Sequence, residues 1–103
     1  MSWKNRTKEQ RREYMRAWLH RYRQNIIEFL GGKCAMCPET ENLEFDHIDP
    51  NTRTWAAQAL SRHNRLARYA REAKEGKLQL LCGFHNKVKG ARDAVQLEID
   101  QPF

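Results

Sequence analysis

Apolar side chains recur every fourth residue near the start of the chain, at Tyr14, Trp18, Tyr22, Ile26 and Leu30, with Met15, Leu19 and Phe29 beside them. That spacing makes one stripe on a helix of roughly residues 8–30, with an arginine-rich opposite face. Thr7-Lys8-Glu9-Gln10 fits a capping box at its start, and Gly31-Gly32 fits its end. Leu43-Glu44-Phe45-Asp46-His47-Ile48 alternates apolar and polar residues, which predicts a short strand broken by Asp49-Pro50-Asn51. Thr54 to Glu75 reads as helical, in one piece or two. Trp55, Ala59, Leu60, Leu66, Ala67 and Ala70 mark its apolar side, and Ser61 could cap a second segment. Gly76 stops it, and Lys77 to Leu81 is a second short strand. Asn86 to Val95 is expected to be a short helix, with Val88, Ala91 and Val95 inward and Lys87, Lys89 and Arg92 outward. Gln96 to Phe103 has no assignable role, and there is no internal repeat.

The 103 residues suit a single domain with a modest core. Mean hydropathy is −0.94, so a bound metal would supply order that the core cannot. No apolar run approaches the ~20 residues of a membrane span. The first residues lack the apolar segment of a secretory signal, so a cytoplasmic location and no membrane partner are expected. Three cysteines cannot all pair within the chain, and metal ligation in a reducing compartment fits them better than disulfides.

Cys34-Ala35-Met36-Cys37 and Cys82-Gly83-Phe84-His85 supply two ligand pairs, each able to bite one tetrahedral ion from a tight turn. Cys34, Cys37, Cys82 and His85 are therefore the expected structural zinc ligands. Such a site would also fix Asn86, which follows the last ligand. Asp46 and His47 lie between the two ligand pairs. Neighbouring strand residues point to opposite faces, so these two share a site only if the backbone bends there, as Pro50 would permit.

Net charge is +6, and its distribution matters more than its sum. Basic stretches at residues 1–30 and 53–92 flank a locally acidic segment at 33–50. Basic flanks attract phosphates while carboxylates hold a cation, an arrangement suited to metal-dependent chemistry on a polyanion. Arg62, Arg65, Arg68, Lys87, Lys89 and Arg92 are the expected nucleic-acid contacts. His63 could touch phosphate, and His20 is expected to face solvent. Phosphodiester hydrolysis needs a base and a cation. His47 suits the first task near neutral pH. The oxygen donors Asp46 and Asn86 suit Mg²⁺ or Mn²⁺ in the second. The plainer alternatives are a surface histidine at a strand end and an asparagine N-cap.

The ordered set Cys34-x-x-Cys37, Leu43 to Pro50, and Leu80-Leu81-Cys82-x-x-His85-Asn86-x-x-Lys89 resembles the HNH nucleases, over roughly residues 33–92. The resemblance implies an α+β, zinc-stapled ββα-metal (His-Me) finger with additional helices around it. Its parts would be a basic N-terminal helix (1–32), the finger (33–92) and a tail (93–103). It also implies a metal-dependent DNA endonuclease, as in small phage or mobile-element proteins, with His47 as general base and Asp46 as a ligand of the catalytic cation. In related phage enzymes that resolve branched DNA, asparagine fills the position of Asn86. Two departures are plain. His85 stands where zinc-bearing members usually have a fourth cysteine, and the asparagine of the family name would fall near Lys77. That leaves the residue orienting His47 open among Asn51, His63, Asn64 and Gln79. Competing readings are a zinc-stapled DNA-binding module without catalysis, and a ribonuclease or toxin of the same fold. A monomer would nick one strand, whereas pairing through the aromatic helix would give a homodimer able to cut two.

Overall fold

The computed structural model describes the backbone of residues 3–100 and the side chains of residues 4–95 and 97. It is an α+β chain with three long helices and a two-stranded antiparallel sheet. Helix α1 spans Lys8–Phe29 and opens with the expected capping box: the Thr7 hydroxyl accepts from the Gln10 N–H while the Gln10 carboxamide accepts from the Thr7 N–H. It ends where Gly31 and Gly32 take φ of 104° and 73°, a left-handed turn in which the Gly32 N–H reaches back to the Ile27 carbonyl.

Strand β1 (Glu44–His47) and strand β2 (Leu78–Leu81) pair in the register Glu44↔Leu81, Phe45↔Leu80, Asp46↔Gln79 and His47↔Leu78. Helix α2 (Arg62–Lys74) lies between them in sequence, and helix α3 (Gly83–Asp100) follows β2 directly. Ser61 caps α2 through the Asn64 N–H, as expected. The segment from Thr54 to Leu60 is instead a loop with one 3₁₀ turn at Ala57–Ala59, so Trp55 is a loop residue rather than part of a helix face. Helix α3 runs past Val95 to Asp100, and residues 101–103 of the expected tail lie outside the described residues.

The core has two lobes. Leu19 and Ile26 of α1 pack on Leu66 and Ala73 of α2 and on Leu78 of β2. Ile27 packs with Leu43, Leu80, Leu81 and the ligand cysteines Cys34 and Cys82. Leu30 and Phe45 touch both lobes and join them. The expected stripe on α1 is buried only in its second half. Its 22 residues span ~33 Å against ~20 Å for the 13 of α2, so α2 cannot cover the first three turns. Residues 7–17 are all exposed, Tyr14 and Met15 among them, and Arg6 sits over the Tyr14 ring at 4.6 Å. Val95 is likewise exposed, beyond the end of the hairpin. Among the described residues no helix is long and apolar enough to cross a membrane.

Candidate functional site

The two ligand pairs meet. Cys34, Cys37, Cys82 and His85 place their ligand atoms within 4.8 Å of one another. The Cys37 and Cys82 sulfurs are 3.8 Å apart, and His85 Nδ1 lies 3.2 Å from the Cys82 sulfur and 3.8 Å from that of Cys34. A tetrahedral ion with Zn–S of ~2.3 Å has ligand–ligand edges of ~3.8 Å, so the cluster could hold a metal such as zinc. Local backbone makes it possible: the Ala35 N–H donates to the Leu80 carbonyl, hooking the first turn onto the outer edge of β2. The Cys34 N–H donates to Glu39 and the Met36 N–H to the Cys34 sulfur, which closes that turn. Burial pushes the Cys34 thiol up, but hydrogen bonds from the Cys82 and Met36 backbone and from Cys37 outweigh it and bring it down to about 6. At Cys37 a backbone bond from Glu39 pulls down, but burial and the neighbouring sulfurs of Cys34 and Cys82 prevail and raise it.

The hairpin presents two faces. Phe45, His47, Leu78 and Leu80 point toward α1 and α2, and Glu44, Asp46, Gln79 and Leu81 toward the other side, where α3 lies. Backbone pairing extends through His47 with no bend, so Asp46 and His47 diverge.

His47 is buried, 4% exposed, with Nε2 2.5 Å from the Glu72 carboxylate, itself 6% exposed. The other Glu72 oxygen accepts from the Trp55 indole N–H at 2.6 Å. Trp55 and Tyr69 flank the imidazole, with ring centroids 6.2 and 6.5 Å away. Glu72 is the partner sequence reasoning missed, being none of Asn51, His63, Asn64 or Gln79. Its only signal was a single acidic residue in a helix otherwise rich in arginine. Burial and the Glu72 carboxylate raise the Tyr69 phenol above its ordinary value. His47, Tyr69, Trp55 and Arg53 line a cleft of about 270 Å³.

On the other face Asp46 is 3% exposed and accepts from the Gln79 carboxamide at 3.0 Å. Lys89 Nζ lies 3.2 Å from the same Asp46 oxygen, 2.5 Å from Asp93 and 2.9 Å from the His47 carbonyl. Lys89 therefore points inward, not outward as the helix pattern suggested. Its charge is spent on two carboxylates, so it is not presented to a polyanion. Asn86 donates its carboxamide N–H to Glu44 rather than meeting Asp46. The three expected chemical residues thus have separate partners: His47 with Glu72, Asp46 with Lys89 and Gln79, Asn86 with Glu44.

Of the expected nucleic-acid contacts, Arg62, Lys87 and Arg92 are exposed. Arg65 donates to the Ala57 carbonyl, and Arg68 lies over Trp55 at 5.7 Å. His63 stacks on Trp18 at 5.4 Å, and His20 is exposed. Comparison with protein-family models, with curated proteins and with solved structures returned no significant match in any of the three.

Proposed function

We propose that this chain is a metal-dependent endonuclease of the HNH type, whose ββα-metal finger is formed by β1, β2 and α3 around a structural zinc. The observation that carries the reading is the buried His47–Glu72 pair at the wall of a cleft. A carboxylate that accepts from one imidazole nitrogen fixes the tautomer, leaves the other nitrogen basic, and stabilises the imidazolium formed when that nitrogen takes a proton. The base of a phosphodiester hydrolysis needs this arrangement. Arg53 lines the same cleft and would neutralise a phosphate bound there. The Trp55 bond keeps Glu72 from turning away.

The donors expected for a catalytic Mg²⁺ or Mn²⁺, Asp46 and Asn86, both belong to the β1–α3 side and are oxygen donors of the right hardness. To share an ion, Asp46 must exchange Lys89 for it and Asn86 must bring its carboxamide oxygen to it, since its bond to Glu44 uses only the carboxamide nitrogen. A cation bound there would neutralise charge on the leaving oxygen. But Asp46 and the His47 imidazole lie on opposite faces of the hairpin, so the two would act on one phosphate only if the backbone bends at the end of β1. A non-catalytic, zinc-stapled DNA-binding module is the second reading, and the Lys89–Asp46 ion pair favours it, since it satisfies a buried carboxylate without any ion.

Plasmid nicking in Mg²⁺ or Mn²⁺ decides between them. The first reading expects cleavage by the parent and none by His47→Ala. A parent that binds DNA yet cuts neither DNA nor RNA leaves the second. Cleavage confined to RNA makes the protein a ribonuclease.

A further inference from the structure

A second cleft, of about 390 Å³, adjoins the His47 cleft, with Phe45 and Tyr69 lining both. Those two rings sit 4.8 Å apart and form the partition. The second cleft opens at the free edge of β1 and is lined by three arginines from two helices, Arg23, Arg62 and Arg65. Arg23 comes from α1, which the charge pattern alone did not single out. It is held in place by donating to the Leu43 carbonyl at 2.6 Å, with its guanidinium 5.3 Å from the centre of the Phe45 ring. Among the described residues Arg62 makes no hydrogen bond or ion pair, and no carboxylate lies within ion-pairing distance of any of the three arginines. The one acidic residue lining the cleft, Glu44, is engaged by the Asn86 amide.

Three arginines against one carboxylate leave this concave site with net positive charge, and their planar donor forks match phosphate oxygens. We propose that this cleft binds a backbone phosphate of a nucleic-acid strand, next along the chain from the phosphate that lies at His47, so that Arg23, Arg62 and Arg65 are substrate-positioning residues. The site rests on the nuclease reading for the role of His47, but binding itself does not. The strand would cross the Phe45–Tyr69 partition, on the α2 side of the hairpin. The basic residues Lys87 and Arg92 on α3 then lie off the track.

The test is binding of a fluorescently labelled DNA oligonucleotide to the zinc-loaded full chain without added Mg²⁺ or Mn²⁺, followed by anisotropy over a salt series. Arg62→Gln should weaken binding several-fold and lower the slope of log affinity against log salt by about 0.7–0.9, the value for one lost phosphate contact. Arg23→Gln should do the same, with Arg23→Lys restoring part of it. Arg62 has no partner to lose among the described residues, so its variant reports binding even if Arg23→Gln disturbs the Leu43 loop. Lys87→Gln and Arg92→Gln should follow the parent. Salt curves for Arg62→Gln and Arg65→Gln that superimpose on the parent, or a larger loss from Lys87→Gln, would overturn the proposal. An RNA oligonucleotide of the same sequence separates the two sources of phosphate: equal losses assign the cleft to the shared backbone, and losses with one alone assign it to that polymer. Superimposed curves alongside His47-dependent nicking sink this cleft and spare the nuclease. A lost slope in a parent that never nicks does the reverse.

Discussion

The two faces of the hairpin carry similar kinds of residue and treat them differently. On the α2 face, His47 and Glu72 form a buried pair open to a cleft, walled by Trp55 and Tyr69. On the α3 face, Asp46 and Asp93 are bound to the ammonium of Lys89. The first arrangement engages an imidazole through one nitrogen and leaves the other without a hydrogen bond to the described residues. The second is an ion-paired cluster of two carboxylates around one ammonium, and only exchange of that cation for another would make it chemical. Charged groups in the same few turns of chain can therefore be poised or satisfied, according to which helix covers them.

The cysteine–histidine cluster ties both faces together, so its loss is the most severe way to break the comparison. Removing the metal with a strong chelator, or Cys82→Ser, should unfold the domain, because metal ligation supplies folding free energy in small domains. Loss of helical circular dichroism together with stoichiometric zinc release is the expected result. Purified, folded protein without metal would contradict it.

The α2 face comes next. His47→Ala should lower nicking by ~10²–10⁴-fold, the usual contribution of a general base. It also leaves Glu72 buried with only Trp55, a loss of ~3–5 kcal/mol in denaturant unfolding. Glu72→Gln should keep the fold and lower cleavage by ~10–100-fold, as expected for a group that orients another. Equal rates for Glu72→Gln and the parent would show that the pair is structural alone.

A smaller effect sharpens the contrast from the α3 side. Lys89→Met frees Asp46 and Asp93, so Mn²⁺ should bind several-fold more tightly, as read by the quenching of its electron paramagnetic resonance. Without the ion the variant should be less stable, since a buried carboxylate has lost its partner. Unchanged Mn²⁺ affinity would mean that Lys89 does not compete for that position.

The mildest test uses Tyr69 as a reporter on the α2 face. Burial, then the Glu72 carboxylate, raises its phenol above the ordinary ~10. A raised folded value contributes stability that is complete below the unfolded value and lost as pH rises through the folded one. Ultraviolet absorbance titration should therefore show a tyrosine ionising late, accompanied by alkaline loss of stability. Glu72→Gln should bring that titration earlier, and no change would indicate burial as its sole cause.

Much of this was legible in the residues themselves. Capping at Thr7 and Ser61, the stop at Gly31-Gly32, the two strands and the ligand set Cys34, Cys37, Cys82 and His85 all follow from spacing within a few residues. Strand alternation likewise implied that Asp46 and His47 would part unless the chain bent, and it does not bend. The sequence could not choose partners, because partners come from docking. Glu72 is 25 residues from His47 and meets it only because α2 packs across one face. Lys89 turned inward because α3 starts at the end of β2 and lies across the other face, over Asp46. Local chemistry decided which side chains could act; long-range packing decided which of them are already satisfied, since burial makes every charge find a counter-charge wherever the fold happens to supply one.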